Sequence, residues 1–349
     1  MSETKAYAAF NSIEPLKPFS FENKVVNSKD IKIEILYCGI CHSDFHNVKN
    51  EWGGAKYPMV PGHEIVGKVA EIGSEVTKFK VGDLAGVGCL VDSCRECENC
   101  HDHEEQYCKS GFTGTYNGVD RKTGEITYGG YSENIVVDEA FVLKIPSNLA
   151  LEGVAPLLCA GITTYSPLRH LKVGKNHKVG VVGLGGLGHM AVKLASSFGA
   201  EVTMLSTSKS KEVDAKRLGA NHFELTSDLE NVNKLKGTFD FIIDTVSASH
   251  DYNLYLSLLK TSGTLVILGA PPEPIQIQGF SLILGRKSIM GSLIGGPKET
   301  QEMLDYCSEH NITSDVEVIE IQKVNEAYDR LLKGDVRYRF VIDMASLKK

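Results

Sequence analysis

The sequence predicts an α/β protein in which a doubly wound parallel sheet is joined to an irregular, strand-rich domain. Two observations lead to this fold class. The chain has 349 residues, more than twice the usual domain size of ~150, so two domains are expected. The pattern also changes near Leu151. Short strands separated by glycines precede it, and apolar strands alternating with helical periods follow it.

The composition is that of an ordinary globular protein, with 42% hydrophobic and 23% charged residues. No apolar run approaches the ~18 residues of a membrane-spanning helix. A net charge of −7 without a long basic block argues against nucleic acid and anionic membranes as partners. Nine cysteines behind an N-terminus that does not resemble a signal peptide predict a reducing compartment, the cytoplasm, and metal or catalytic roles.

A strand rich in isoleucine leads into the first cluster of polar side chains. Residues 1 to about 37 contain short strands, and Ile31, Ile33 and Ile35 recur at every second position, close to the pattern of a half-buried strand. The strand runs into residues 38–46, which hold two Cys, two His, a Ser and an Asp. A lone Cys at such a place is more often part of a core. The concentration of donor atoms favours a site.

A second group of donors begins at His63 and Glu64. Pro58, Pro61 and Gly62 precede them and predict a bend that fixes their direction. His63 alone would be explained as a polar residue at the start of a strand. The carboxylate of Glu64 and the cysteine upstream supply further ligand types, so a metal site is favoured. Strands are predicted after it at 84–91, 134–137 and 141–145, with glycine turns at 81–83 and 128–131.

Four cysteines spaced C-x2-C-x2-C-x7-C form the most specific motif of the chain. This spacing lets four thiolates meet at one tetrahedral ion, with Zn–S distances near ~2.3 Å. The loop between them is rich in Glu, Asp and His, so it would need the ion to hold its shape. The scattered positions of the other cysteines disfavour a disulfide framework, and an iron–sulfur cluster is the main alternative. The predicted structural zinc ligands are Cys94, Cys97, Cys100 and Cys108.

A glycine-rich turn lies between a strand and a helix in the second half of the chain. The strand at 178–182 leads into Gly-Leu-Gly-Gly-Leu-Gly at 183–188, apolar residues follow at helical spacing up to Phe198, and a second strand covers 201–205. The glycines permit a tight turn and close approach of the backbone to a pyrophosphate, which the helix N-terminus stabilises. This context makes the motif a specific sign of a Rossmann dinucleotide site.

The residues after the second strand distinguish the two nicotinamide cofactors. An NAD site usually has Asp or Glu there to accept the ribose 2′-hydroxyl. This chain has Ser206-Thr207-Ser208-Lys209-Ser210-Lys211, whose hydroxyls and lysines can bind a 2′-phosphate. A solvated turn is the simpler alternative, but the position of the segment favours NADP.

The α/β pattern continues towards the C-terminus. Strands are predicted at 239–244, 264–269 and 288–293, helices at 252–260, 299–310 and 324–332, and short strands at 318–321 and 339–343. Because the nucleotide-binding sheet is complete by about Ile294, the last ~50 residues are expected to rejoin the first domain. The expected domains are therefore a catalytic domain of residues 1–152 and 296–349 and a Rossmann domain of residues 153–295.

Together these motifs resemble the zinc-dependent medium-chain alcohol dehydrogenases over nearly the whole chain. The pattern Gly62-His63-Glu64-x2-Gly67-x5-Gly73 is similar to that family's zinc signature, and the four clustered cysteines are similar to its structural-zinc lobe. Segments 38–44, 158–163, 165–168, 291–295 and 338–343 resemble the cinnamyl alcohol dehydrogenase branch of NADP-dependent aldehyde reductases. The resemblance implies that the first domain is GroES-like.

The resemblance also implies a catalytic zinc bound by Cys41, His63 and Cys159, a ligand type known from alcohol dehydrogenase. Glu64 would be the neighbouring carboxylate that reaches the metal. The residues by themselves leave open which cysteine is the third ligand, because other scattered cysteines are available: Cys38, Cys89 and Cys307.

Further roles follow from the same resemblance. Asp44 would orient His63 from behind, and Ser43 and His46 would relay a proton between the substrate and solvent. Trp52, the only Trp of the chain, falls where relatives place an aromatic ring in the substrate pocket. Gly114 falls where plant lignin-pathway members carry a bulky ring, which weakens any claim for a cinnamyl substrate.

The resemblance assigns a larger set of residues to the cofactor. Most of them fall at predicted strand ends of the Rossmann domain. The expected cofactor-binding residues are Ser43, Thr163, Gly183, Leu184, Gly185, Gly186, Leu187, Gly188, Ser206, Thr207, Ser208, Lys211, Thr245, Gly269, Ser292, Leu293 and Ile294.

The sequence therefore predicts a zinc-dependent oxidoreductase, with two zinc ions per chain, that interconverts aldehydes and primary alcohols with NADP(H). The expected activity is that of a broad-specificity aldehyde reductase, and the family implies a homodimer. An NAD-linked secondary-alcohol or polyol dehydrogenase is the alternative within the superfamily. A zinc-ribbon protein that binds nucleic acid is the non-enzymatic alternative, which the acidic residues of the cysteine loop disfavour. The sequence does not name the physiological substrate or the direction of the reaction.

Overall fold

The computed structural model describes residues 3–271 and 273–348. The chain divides into two compact units. One comprises Met1–Ile162 and Gly295–Lys349, and the other comprises Thr163–Ile294. The sequence placed the two boundaries after residues 152 and 295, and the contacts of the chain place them after residues 162 and 294.

Strands and helices alternate irregularly in the first unit and regularly in the second. The strands are β1 (Glu3–Ala8), β2 (Lys17–Glu22), β3 (Asp30–Ile40), β4 (Ile65–Ile72), β5 (Leu84–Val87), β6 (Leu90–Asp92), β7 (Thr113–Gly114), β8 (Asn134–Asp138), β9 (Leu143–Lys144), β10 (Lys178–Val182), β11 (Glu201–Ser206), β12 (His222–Leu225), β13 (Phe239–Asp244), β14 (Leu259–Ile267), β15 (Ser288–Gly291), β16 (Val316–Glu320) and β17 (Arg339–Asp343). The α-helices are α1 (His42–Val48), α2 (Glu98–His101), α3 (Leu151–Val154), α4 (Ala160–His170), α5 (Gly188–Ser197), α6 (Glu212–Arg217), α7 (Leu229–Lys234), α8 (Tyr252–Leu258), α9 (Gly279–Ile283), α10 (Pro297–His310) and α11 (Val324–Leu332).

The first unit is built on a seven-stranded sheet with the order β16-β17-β3-β4-β5-β9, in which β8 also pairs with β3. The predicted alternation in β3 is correct, since Ile31, Ile33 and Ile35 are all buried. The register sets Cys38 opposite Ile65 of β4 and Ile40 opposite Phe340 of β17. The end of β3, the residues just before β4 and the start of β17 therefore meet at one edge of the sheet.

The second unit is a six-stranded parallel sheet with helices along the chain between its strands. Its order β12-β11-β10-β13-β14-β15 is the 3-2-1-4-5-6 order of the doubly wound dinucleotide-binding fold. Its core contains Leu205, Phe239, Ile242, Leu256 and Leu265, all fully buried. The predicted α/β fold class is thus confirmed for this unit.

Several elements differ from the sequence predictions. Residues 42–48 form the helix α1, because the Asp44 carboxylate accepts the backbone N–H of Cys41 at 2.8 Å and caps the first turn. The predicted strand 84–91 is two strands, β5 and β6. The helix predicted to Lys260 ends at Leu258, and β14 begins at once.

Two helices and one strand of the second unit were not predicted. Helices α7 and α9 are only six and five residues long, too short to show a full apolar period. Strand β12 is an edge strand of which no residue is fully buried, so it lacks the apolar run of its neighbours. Among residues 3–271 and 273–348, none of the helices combines the length and apolarity needed to cross a bilayer.

Candidate functional site

Asp44 and His63 form the buried base of the candidate site in the first unit. Asp44 Oδ1 accepts hydrogen bonds from His63 Nδ1 at 3.0 Å and from the backbone N–H of Gly62 at 3.2 Å. Tyr131 donates its hydroxyl to the other carboxylate oxygen at 3.4 Å. Because Nδ1 donates to the carboxylate, Nε2 of His63 is left with its lone pair for a ligand.

Four potential metal ligands converge in front of His63. One donor atom from each of Cys41, His63, Glu64 and Cys159 lies within 4.8 Å of the other three. The two sulfur atoms are 3.9 Å apart, although 118 residues separate them along the chain. Two thiolates and an imidazole are one of the donor sets that bind zinc in catalytic sites. In addition, Oε2 of Glu64 is buried without a hydrogen-bond partner among the described residues, as expected beside a cation.

The structure selects among the cysteines that the sequence left open. Cys307 lies in α10 against the sulfur of Met303, at 3.6 Å. Cys38 lies in β3 and is fully buried, and this burial raises the pKa of its thiol well above the ordinary value. Cys89 lies next to the cluster, with its sulfur 3.8 Å from the carbonyl oxygen of Leu158. Of these four cysteines, only Cys159 joins Cys41, His63 and Glu64 in the group of converging donors.

Arg339 is a residue of this site that the sequence analysis missed. It lies in β17 with its side chain only 3% exposed, and its guanidinium pairs with Glu64 Oε1 near the sulfur of Cys41. Burial raises the pKa of Glu64 to about 7, and the charge of Arg339 opposes that rise. An Arg within the apolar strand sequence Arg-Phe-Val-Ile-Asp was the available signal, because a buried Arg requires a partner.

The absence of a side chain at Gly39 lets the carboxylate of Glu64 lie close to β3. A Cβ atom at this position would lie 1.8 Å from Glu64 Oε2. Any side chain here would therefore displace Glu64 from its place beside the converging donors.

The predicted relay residues lie on one face of α1. Ser43 Oγ is 3.5 Å from His63 Nε2, and its carbonyl accepts hydrogen bonds from Asn47 at 2.8 Å and Tyr116 at 3.2 Å. His46 follows one turn later, where residues three apart are neighbours. Its side chain is 23% exposed and pairs with Glu51. Ser43 is thus at the donors, and His46 is nearer to solvent.

Trp52 follows α1 and is placed beside the relay. Its ring centre lies 4.9 Å from that of His46, and the residue is 54% exposed. A large aromatic surface with this exposure is available for contact with a substrate.

The four clustered cysteines form a second group of converging donors. The sulfur of Cys100 lies 3.5 Å from that of Cys97 and 3.8 Å from that of Cys94. A tetrahedral ion with Zn–S distances of ~2.3 Å would hold sulfurs about 3.8 Å apart. No disulfide bond joins any of the nine cysteines, which all fall within the described residues.

Backbone groups favour the thiolate form at part of this cluster. The N–H groups of Lys109 and Cys97 point at the sulfurs of Cys97 and Cys94, at 3.4 and 3.3 Å. The hydrogen bond from Lys109 is the main reason why the pKa of Cys97 is lowered to about 6. Burial raises the pKa of Cys100 to about 11. Arg95 ties the loop to the sheet through Asp92 at 2.8 Å and Asp138 at 3.0 Å.

In the second unit, the glycine turn has the shape that a pyrophosphate requires. Gly183 has φ +85°, a conformation that favours glycine. A Cβ at Gly188 would lie 1.9 Å from the carbonyl oxygen of Gly183, so the turn and α5 pack directly together. A Cβ at Gly185 would meet no described atom within 4 Å. That side of the turn is therefore open to a ligand.

The other predicted cofactor residues of this unit gather at the same edge of the sheet. In parallel sheets, ligands bind outside the carboxyl ends of the strands. Five of the six strand ends carry predicted residues, while Thr163 lies in α4. The residues at the strand ends are Gly183 to Gly188 after β10, Ser206, Thr207, Ser208 and Lys211 at the end of β11 and beyond it, Thr245 after β13, Gly269 after β14, and Ser292, Leu293 and Ile294 after β15.

The segment after β11 is ordered by its own hydroxyls. Ser206 Oγ accepts the backbone N–H of Ser208 at 3.1 Å, and the hydroxyls of Ser208 and Ser210 are 2.9 Å apart. Lys209 pairs with Glu212 at 2.6 Å, which helps to lower the pKa of Glu212 to about 2. The segment thus offers hydroxyl donors, with Lys211 at the start of α6.

Comparisons with known proteins agree on one family. Residues 27–147 match the model of the alcohol dehydrogenase GroES-like domain, and residues 186–309 match that of the zinc-binding dehydrogenases. NADP-dependent alcohol dehydrogenase C 1 of Mycolicibacterium smegmatis is 56% identical over 349 residues, which is 100% of both chains. The mannitol dehydrogenase of Petroselinum crispum is 56% identical over 337 residues, covering 96% of this chain and 99% of its own.

Two solved structures superpose closely. A cinnamyl alcohol dehydrogenase of Sorghum bicolor has a TM-score of 0.96 and 47% identity, covering 99% of this chain and 98% of its own. The Helicobacter pylori protein, solved in complex with NADP(H), has a TM-score of 0.93 and 46% identity, covering 98% of each chain.

Proposed function

The chain belongs to the zinc-dependent alcohol dehydrogenases of the cinnamyl alcohol dehydrogenase type, and we propose that it is a broad-specificity aldehyde reductase with its catalytic zinc on Cys41, His63 and Cys159. It is an NADP-linked oxidoreductase of alcohols and aldehydes. The predicted family, fold class and cofactors are thereby confirmed. The site residues, the substrate range and the assembly are parts of the proposal.

The convergence of the two thiols and the imidazole is the observation that carries this proposal. When bound, the two cofactors supply the chemistry, because NADPH is a hydride donor and zinc is a Lewis acid for a carbonyl oxygen. The protein's part is to fix the donors. Asp44 holds the imidazole of His63 in one orientation, and Arg339 compensates the charge of Glu64 and holds one of its oxygens in place.

Ser43 and His46 handle the proton in the proposed reaction. The hydroxyl of Ser43 lies beside His63 Nε2, so it can donate to an oxygen that develops negative charge there. Its backbone is fixed by Asn47 and Tyr116. His46 lies towards solvent and restores the proton to Ser43. Ser206 to Lys211 bind the 2′-phosphate of NADPH in the other unit.

A polyol substrate is the second candidate. It is favoured by the names of relatives such as the mannitol dehydrogenase of Petroselinum crispum, 56% identical to this chain. We place aldehydes first because Trp52 offers an exposed aromatic face, which suits an apolar aldehyde better than a fully hydroxylated polyol.

The expected homodimer has support in the second unit. Strand β15 is the edge of the parallel sheet, with one side unpaired among residues 3–271 and 273–348. Near it, Phe280, Ile283 and Leu284 are 71%, 70% and 83% exposed. Pairing of this edge with a second copy would cover both features, and sedimentation at micromolar concentration would detect it. The proposed location is the cytoplasm, in keeping with nine described cysteines that form no disulfide bond.

A steady-state screen tests the substrate proposal. Purified protein with bound zinc is assayed for oxidation of NADPH and NADH with aliphatic and aromatic aldehydes, and for reduction of NADP⁺ with mannitol and primary alcohols. Several aldehydes turned over with NADPH at similar kcat/KM is the expected result. A kcat/KM for mannitol far above that for every primary alcohol would favour the polyol function instead.

A further inference from the structure

His250 lies in the loop between β13 and α8, and each of its two ring nitrogens is hydrogen-bonded to an oxygen acceptor. Its Nε2 is 2.8 Å from Asp244 Oδ2, and its Nδ1 is 2.8 Å from the carbonyl oxygen of Ala248. A carbonyl and an ionised carboxylate can only accept hydrogen bonds, and a neutral imidazole has a single N–H to donate. Both bonds exist together only when the ring carries two protons.

The surroundings of His250 favour this cation. Ring centres of Tyr252 and Tyr255 from α8 lie 4.2 and 5.5 Å from the imidazole, and aromatic rings attract cations. Asp244 at the end of β13 and Asp251 at the start of α8 supply negative charge. Burial alone would lower the pKa of His250, but the bonds to Asp244 and Ala248 and the two carboxylates outweigh it and raise the pKa above 6.5.

The two neighbouring tyrosines do not titrate in the same range. Burial is the main reason why the pKa of Tyr255 is raised to about 12, and it also raises the pKa of Tyr252. Both phenols therefore stay neutral at the pH values at which His250 changes its charge.

The loop that His250 fixes supports the glycine turn. Thr245 donates its hydroxyl to the carbonyl oxygen of Val182 at 2.7 Å. Asp244 Oδ1 accepts the backbone N–H of Val246 at 3.1 Å. A Cβ at Gly183 would lie 2.6 Å from the side chain of Val246. Residues 245–246 thus press directly against the turn.

The same loop also packs against the next strand end. A Cβ at Gly269, after β14, would lie 2.2 Å from the carbonyl oxygen of Val246. Any shift of residues 245–246 would therefore displace both the glycine turn after β10 and the residues that follow β14.

We propose that His250, held as an imidazolium between Asp244 and Ala248, is a positioning residue that keeps the cofactor-binding edge of the sheet in its binding-competent form, so that NADPH binds more weakly when the ring loses its proton. The proposal rests on the placement of the cofactor at residues 183–188 in the proposed function. His250 acts through residues 244–246 and needs no contact with the cofactor.

Equilibrium binding of NADPH as a function of pH is the test. Between about pH 7 and pH 9 the 2′-phosphate, with a second pKa near ~6, is fully ionised, and ordinary lysines, near ~10.4, remain charged. The Kd of the wild-type protein should rise about fivefold across this range, as expected for one lost hydrogen bond. His250→Gln keeps one donor but cannot titrate, so its Kd should lack this rise.

His222→Gln is the matched control. His222 belongs to the same unit, is exposed, and pairs with Glu201 at 3.1 Å, away from the loop. This variant should retain the wild-type dependence on pH. Parallel pH profiles for the wild type and His250→Gln would overturn the proposal.

The imidazole is observed independently by NMR. The signals absent from His250→Gln identify the ring, whose titration midpoint should lie above the ordinary value for histidine. A midpoint at or below that ordinary value would overturn the proposal whatever the binding data. A wild-type protein that binds no NADPH at any pH would overturn the cofactor placement and this inference together, whereas NADPH binding with identical slopes overturns only the role of His250.

Discussion

Asp44 Oδ1 accepts a hydrogen bond from Nδ1 of His63 at 3.0 Å, between two side chains that are 0% and 5% exposed. The bond leaves Nε2 of His63 as the only ring atom able to bind a metal. The carboxylate also raises the basicity of the imidazole, which strengthens it as a ligand. Sequence spacing alone would not reveal this pair.

Asp44→Asn should weaken the proposed catalytic zinc without unfolding the chain. The amide oxygen can still accept from His63, but the negative charge is lost. Loss of such a partner typically costs about 10- to 100-fold in metal affinity or activity. Competition with a chelator and turnover with NADPH measure the two effects. Asp329→Asn, an exposed substitution on α11, is the control. Equal behaviour of both variants would contradict the orienting role.

Arg339 and Glu64 should be energetically coupled. Arg339→Gln leaves the buried carboxylate of Glu64 without its guanidinium partner. The substitution should destabilise the zinc-loaded protein by about 3–5 kcal/mol. Glu64→Gln in the same chain removes the unpaired charge, so the double variant should recover a large part of that loss. Denaturant unfolding of the wild type, both single variants and the double variant completes the cycle. Additive losses would show that the pair is not coupled.

The sequence allowed prediction wherever the signal was local. The four cysteines of the lobe lie within 15 consecutive residues, from 94 to 108, and the glycine turn is flanked by its strand and helix. Cys159 is 118 residues from Cys41, and Arg339 is 275 residues from Glu64. No local period connects such pairs. Cys159 was selected by family resemblance, and Arg339 was found only once the register of β17 against β3 was known.

Some short helices and strands were not predicted from the sequence, for a related reason. Residues 38–46 were interpreted as a site because they concentrate donor atoms, and the helix α1 within them was not predicted. Its capping residue, Asp44, also bonds His63. Strand β12 is half-exposed along its length, and a strand that buries little needs no apolar pattern. Its place is set by pairing with β11.

Ser43→Ala should lower turnover much more than His46→Ala. Ser43 lies at the proposed metal donors, so its loss removes the group that transfers the proton, a contribution of typically 10²- to 10⁴-fold. Water can replace His46 at its partly exposed position. Single-turnover oxidation of bound NADPH by an aldehyde separates this step from product release. Equal losses in the two variants would contradict the proposed order of the relay.

Ser206→Asp should reverse the cofactor preference. Hydrogen bonds to a charged phosphate contribute ~1.5–3 kcal/mol each. Two such bonds correspond to roughly two to four decades of preference for NADPH over NADH. A carboxylate at the end of β11 would repel the 2′-phosphate and accept the ribose hydroxyls of NADH. The ratio of kcat/KM for the two cofactors gives the answer.

His222→Asp provides a comparison for the cofactor experiment. His222 is on β12, the strand next to β11, and is exposed. The substitution introduces the same negative charge outside the predicted phosphate site. If both aspartate variants change the ratio of kcat/KM for NADPH and NADH equally, the preference comes from general electrostatics and not from contacts of the Ser206 segment with the 2′-phosphate.

Counting the zinc ions per folded chain shows whether the protein holds two separate zinc sites. We expect two ions in the wild-type protein, one at Cys41, His63 and Cys159 and one at the four clustered cysteines. Cys159→Ala should remain folded, bind NADPH, contain one zinc and be inactive, whereas Cys94→Ala should unfold or aggregate because the loop needs its ion. Two zinc ions in an active Cys159→Ala variant would contradict the role of Cys159 as a ligand of the catalytic zinc.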